Sequence, residues 1–122
     1  MREIFESTFL GKYEPMKMLL FAQAYHETGG FKSRSFREEN NMFGMKLPSR
    51  RATLGKKSPY SVYAMFDNVQ DSLKDLILYL NFVNMPIINT AEQYAKELKS
   101  RSYFEDTEVN YIRGLNNGLK NW

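Results

Sequence analysis

The stretch EPMKMLLFAQAYHETGGF, residues 14–31, decides the fold. Proline in the first turn of a helix gives up only an N–H that had no partner, so Glu14-Pro15 reads as a helix start. Gly29-Gly30 ends that helix after Thr28. Projected at about 100° per residue, Met16, Met18, Leu19, Leu20, Phe21, Ala22, Ala24 and Tyr25 fall on nearly every side of it. A helix that is apolar all round belongs at the centre of its domain.

Working outward, residues 2–12 predict a short helix before it. Residues 29–41 are polar and read as irregular, and NNMFGMK at 40–46 is too short and glycine-punctuated for more than one helical turn. Beyond Leu47 come basic residues, Pro48, Gly55 and Pro59, then YSVYAMF, in which Tyr60, Val62 and Ala64 alternate with Ser61 and Tyr63. That alternation predicts a short β-hairpin. Asp67 or Asn68 caps a helix with Val69, Leu73, Leu76, Ile77 and Leu80 at helical spacing, ending before Pro86. Thr90 and Gln93 form a capping box for a helix through Tyr94 and Leu98. Thr107 caps a last helix whose apolar side is Val109, Ile112, Leu115 or Leu119, and which Gly114 and Gly118 weaken. The expected fold is mainly α, a helical domain with a small β-hairpin lobe, with no internal repeat or linker.

With 122 residues, 43% of them hydrophobic and 15% aromatic, the chain has enough apolar material for one core. Its net charge is +3, without a run of like charges that would suggest a nucleic-acid arm. The longest apolar stretch, MLLFA at 18–22, is far short of the roughly 20 residues of a membrane span. The first residues carry charges and no apolar h-region, so no secretory signal is expected and export needs another route. There is no cysteine and only one histidine, so neither a transition-metal site nor a cofactor is expected.

Glu27 is the residue with most to say about chemistry. It lies at the carboxyl end of the central helix, in angular register with Met16 and Leu20, so its side chain starts from an apolar sector. The negative end of the helix dipole and desolvation both disfavour a carboxylate there, and both raise its pKa. A carboxylic acid that keeps its proton near neutral pH can protonate the leaving oxygen of a glycosidic bond. The alternative is a solvated glutamate in a last turn, paired with a nearby cation. Gly29 and Gly30 would let a bulky sugar approach without meeting a Cβ. His26 is adjacent, but helix neighbours diverge by about 100°, and it reads as structural.

AQAYHETGGF at 22–31, NNMFGMK at 40–46 and YAMFDNVQDSLKDLILYL at 63–80 together resemble the glucosaminidase domains of glycoside hydrolase family 73. There a helix ending in the catalytic glutamate is followed by an NLFGIK-like turn, then a hairpin ending in aromatic-x-x-Phe, then a helix with Ser and Asp near its start. YAKELKSRSYFEDTEVNYIRGL at 94–115 is similar to the family's closing pattern, which has a GYATD-like turn between two helices. The resemblance spans about residues 14–119 and implies a single lysozyme-like, glucosaminidase-like domain over 1–122. It implies that Glu27 is the general acid and that Tyr103 holds the family's catalytic-tyrosine position. It also implies that Asn41, Phe43 and Gly44 shape the groove beside the acid. Tyr60, Tyr63 and Phe66 add aromatic surface against which pyranose rings could stack, although at least one of them belongs to the core.

The family usually supplies a second carboxylate from the hairpin, and KLPSRRATLGKKSPYSVYAMF at 46–66 contains neither Asp nor Glu. Hydrolysis with either stereochemical course ordinarily needs a second acidic group. Glu38 or Glu39 could supply it, the substrate's 2-acetamido group could replace it, or the domain could bind glycan without cutting. Lys46, Arg50, Arg51, Lys56 and Lys57 make the hairpin a cationic lip suited to a polymer bearing peptide carboxylates, or simply a solvated basic face.

The expected function is hydrolysis of the β-1,4 bond after N-acetylglucosamine in peptidoglycan, at the bacterial cell wall. The expected partner is the glycan strand, not nucleic acid or a membrane. The rivals are a single-glutamate muramidase or lytic transglycosylase, and an inactive glycan-binding or structural module of a phage particle. Compact length and the missing signal fit a phage-encoded or virion-borne endolysin.

Overall fold

A computed structural model describes residues 1–122, and helices dominate it. In chain order the elements are α1 (Arg2–Ser7), a 3-10 turn (Gly11–Met16), α2 (Lys17–Glu27), α3 (Arg34–Glu39), β1 (Lys56–Lys57), β2 (Ala64–Met65), α4 (Val69–Phe82), α5 (Ala91–Ser100) and α6 (Glu108–Leu119). No helix is long and apolar enough to cross a membrane. The architecture is mainly α with one small antiparallel sheet, consistent with a lysozyme-like fold.

Helix α2 runs through the middle, burying Leu19, Leu20, Phe21, Ala22, Gln23 and Ala24. The helical path begins ahead of Pro15, as the 3-10 turn at Gly11. Glu14 explains the early start, because its carboxylate accepts from the Leu10 N–H at 2.9 Å and pairs with Lys17 at 3.1 Å. At the other end the Gly30 N–H closes on the Tyr25 carbonyl at 2.9 Å, with Gly29 and Gly30 at φ of 58° and 75°, so the two glycines stop the helix.

Gly114 and Gly118 do not simply weaken α6; they let it approach α2. A Cβ on Gly118 would lie 2.6 Å from the Cα and carbonyl oxygen of Ala22, and one on Gly114 would lie 2.1 Å from the His26 ring. The buried side of α6 is therefore Tyr111, Leu115 and Gly118, and Val109, expected inside, is 65% exposed.

The caps behave as their residue types require. Asn68, Thr90 and Thr107 accept from the backbone N–H of Asp71, Gln93 and Asn110 respectively. Helix α3 lies in a stretch expected to be irregular. Ser33 caps it by accepting from the Phe36 N–H, and Asn40 ends it at a left-handed φ of 54°.

The hairpin is smaller than expected, with only Lys56 opposite Met65 and Lys57 opposite Ala64. Residues 60–63, whose alternation suggested a strand, form a bend in which Ser58 and Ser61 accept from the N–H groups of Tyr60 and Tyr63. Buried carboxylates hold the lobe in place of a ladder. Asp75 of α4, 1% exposed, takes two hydrogen bonds from Arg51 at 3.3 and 2.9 Å, one from the Thr53 hydroxyl at 2.7 Å and one from the Leu54 N–H at 2.8 Å. Glu39 of α3, fully buried, takes Arg34 at 3.0 Å and Ser61 at 2.6 Å.

Candidate active site

A groove of about 500 Å³ opens where the end of α2, the 43–46 turn, the lobe and the loop after α5 meet. Glu27, the last residue of α2, lines it. Burial pushes its carboxyl up to about 7. It is thus poised to exchange a proton at neutral pH.

The turn after α3 is shaped around that carboxyl. Gly44 has a φ of 64°, and a Cβ there would come within 3.3 Å of the Glu27 Oε2. A left-handed conformation and a close approach together call for glycine. Asn41 builds the turn. Its amide N–H groups go to the carbonyls of Met45 and Ala64, and its side-chain oxygen accepts from the N–H groups of Phe43 and Met45. Those four bonds use up its polar capacity, and Asn41 is buried, so it organises the turn rather than offering a contact to substrate.

Tyr103 reaches the groove from the loop after α5. Its O–H donates to the Phe43 carbonyl at 3.0 Å, and its ring packs on Tyr79 with 5.3 Å between centroids. Burial raises its pKa well above the ordinary tyrosine value, and the nearby Glu27 adds to that, so the phenol keeps its proton.

Of the residues singled out from sequence, Glu27, Tyr103, Phe43, Gly44, Tyr63, Lys46 and Arg51 meet in the groove. Phe43 does so with a buried ring, while Tyr63 is 37% exposed. Phe66 is 2% exposed and is the core member among the three aromatics, with no face for a sugar. Tyr60, 62% exposed, lies outside the groove. Gly29 and Gly30 do not line it either. The cationic lip is thinner than the sequence suggests, because Arg51 is engaged by Asp75 and Lys56 pairs with Asp67 at 2.8 Å.

Neither candidate second carboxylate is in the groove. Glu38 pairs with Arg34 at 2.9 Å. Glu39 is a structural ion: burial would raise its pKa, but hydroxyls of Ser58, Ser61 and Ser35 and the Arg34 charge hold it below the ordinary range. Sequence reasoning also passed over Tyr79 and Glu105, which line the groove. For Tyr79 a signal existed, a tyrosine between Leu76 and Leu80 on an otherwise apolar helix.

A second, larger hollow of about 760 Å³ runs along α6 beside His26, Asp106 and Arg113. Its one carboxylate, Asp106, is held below the ordinary range by hydrogen bonds from the Asn110 side chain and the Thr107 N–H, so it offers no acid. His26 packs edge-on against Tyr111 with 4.8 Å between centroids, and burial lowers its pKa despite Asp106. Of the two cavities, only the groove holds a carboxyl raised toward neutrality.

A family model described as glucosaminidase, mannosyl-glycoprotein endo-beta-N-acetylglucosaminidase, matches residues 9–121. No curated protein and no solved structure matches the chain.

Proposed function

The chain belongs to the glucosaminidase family, a family of glycoside hydrolases, and from that premise we propose that it cleaves the β-1,4 bond after N-acetylglucosamine in peptidoglycan with Glu27 as general acid. The observation that carries this reading is the Glu27 carboxyl, raised by burial to about 7 at the edge of an open groove. A protonated carboxyl can hand its proton to the glycosidic oxygen as the bond to C1 breaks, which is the hardest step for a poor leaving group.

Peptidoglycan as the substrate rests on the resemblance to the cell-wall glucosaminidases and on the basic residues Lys46, Arg50 and Lys57 of the lobe, which suit a glycan carrying peptide carboxylates. Tyr103 keeps its proton and lines the groove, which fits a role in holding the reacting sugar or the turn beneath it. Tyr63, half-exposed in the same groove, offers a face to a pyranose ring. The site of action is the bacterial cell wall.

The test is digestion of purified peptidoglycan by the parent and by Glu27→Gln, with mass analysis of the fragments. New reducing N-acetylglucosamine ends from the parent alone are the expected result. Reducing muramic ends would make it a muramidase, anhydro-muramic ends a lytic transglycosylase, and binding without fragments an inactive module.

A further inference from the structure

We propose that Glu105 is the second carboxylate of the groove and accepts the proton of the attacking water, an assignment that rests on Glu27 being the acid. The chain has fourteen acidic residues. Only Glu27 and Glu105 line the groove. The hairpin, where a second acid would be sought, has none, and the two fully buried carboxylates are committed elsewhere: Glu39 to Arg34 and Ser61, Asp75 to Arg51. Glu105 is the one further carboxylate whose place gives it access to a sugar beside Glu27.

Its surroundings suit a base. The side chain is exposed and makes no ion pair, so water can reach it. Its backbone, by contrast, is tightly held. The Lys99 ammonium donates to three successive carbonyls, of Phe104, Glu105 and Asp106, at 3.3, 3.0 and 2.7 Å. Phe104 stacks on Tyr111 with centroids 3.9 Å apart and planes within 5°. Just before it, Tyr103 ties the loop to the Phe43 carbonyl, on the turn that faces Glu27. Catalytic groups need that kind of support, since a displacement of about 1 Å in a reacting group can cost a hundredfold in rate. Three carbonyls turned onto one lysine fix the loop without using any groove residue's side chain.

The step balances as follows. Glu27 gives its proton to the glycosidic oxygen while the bond from C1 to that oxygen breaks. The water oxygen forms a new bond to C1 from the opposite face, and the proton it sheds goes to Glu105. Solvent then carries a proton from Glu105 back to Glu27. One water is added across the bond, and the configuration at C1 inverts.

The experiment compares the parent, Glu105→Gln, Glu27→Gln and Glu92→Gln on purified peptidoglycan, with and without sodium azide. Glu92 is exposed on α5 outside the groove, and its variant serves as the control. Glu105→Gln should lose at least about a hundredfold in turnover with its melting temperature unchanged. Azide, which needs no base, should restore part of that loss and yield an α-glycosyl azide, and the parent should release the α anomer first by NMR. Lys99→Met, which leaves the carboxylate intact but frees the loop, should lower turnover by a smaller factor. Parent-level turnover in Glu105→Gln beside a dead Glu27→Gln would overturn the assignment and spare the acid. A β-glycosyl azide, or a β anomer released first by the parent, would also overturn it. Activity surviving in Glu27→Gln would instead bring down the proposed function on which it rests.

Discussion

Tyr103 donates its phenolic O–H to the main-chain carbonyl of Phe43 at 3.0 Å, joining the loop after α5 to the turn that faces Glu27. Tyr103→Phe removes that tie and leaves the ring in place. It should lower stability by about 1 kcal/mol, the net value of one hydrogen bond, and turnover by roughly ten- to hundredfold, because the groove is then free to widen. Urea unfolding and fragment release on the same variant check both. Full turnover with the expected stability loss would make the bond purely structural.

The raised Glu27 carboxyl sets the pH profile. A general acid works in its protonated form, which prevails below about 7 and is lost as pH rises through that value. The expected profile of kcat/KM therefore falls on its basic side with a midpoint near 7. A rate still climbing above pH 8 would count against a carboxylic acid in this role.

Arg51 and Asp75 are both nearly buried, so cutting one leaves the other without compensation. Arg51→Met should cost about 3 kcal/mol, since a buried carboxylate stripped of its cation is the expensive outcome. Replacing both, as Arg51→Met with Asp75→Leu, should recover only part of that, because the Thr53 hydroxyl and the Leu54 N–H lose their acceptor. The single variant should also raise KM, because Arg51 belongs to the segment that walls the groove. Equal stability of single and double variants in urea would refute the coupling.

Gly118→Ala tests helix packing against helix propensity. Propensity alone favours alanine by about 1 kcal/mol. The new Cβ would meet Ala22 backbone at 2.6 Å, however, and backbone cannot swing aside. A net loss of about 2 kcal/mol is expected by thermal or urea unfolding. A neutral or stabilised variant would show that α6 can move away from α2 at little cost.

Features written over a few neighbouring residues were legible in the sequence. The all-round apolar pattern of 16–25, the single-residue caps at Asn68, Thr90 and Thr107, and the apolar setting of Glu27 all depend on near neighbours. What could not be read is carried by pairs far apart in the chain. Arg51 finds Asp75 and Ser61 finds Glu39 across more than twenty residues, and polar anchors of that kind leave no periodic trace. They hold the lobe with only two residues in each strand, which is why the alternation at 60–64 misled. Helix α3 was missed because it is six residues long and its one buried residue is Glu39. The glycines of α6 looked like defects because propensity is local, whereas their packing on Ala22 and His26 is tertiary. In the site, the sequence put Glu27 in an apolar setting but could not tell that Phe66 faces inward and that Asn41 commits its hydrogen bonds to the turn.

Glu27→Gln separates the acid's chemistry from its cost to the fold. In the native state burial moves the carboxyl from an ordinary value of 4.5 to about 7, so the fold prefers the protonated form. The native state then binds more protons than the unfolded chain between those two values, and stability must fall as pH rises through that window, levelling off above it. Raising a pKa by one is equivalent to about 1.4 kcal/mol, and discounting for partial exposure leaves a penalty on the order of 2 kcal/mol at pH 8. Glutamine has nearly the same shape and cannot ionise, so the variant should escape the penalty. It should match the parent at pH 4.5 and exceed it by about that amount at pH 8, while releasing no fragments at either pH. Urea unfolding of both proteins at the two pH values gives the answer. Parallel stability curves would mean that Glu27 is solvated and ordinary, and a solvated carboxylate is not the proton donor that the proposed function requires.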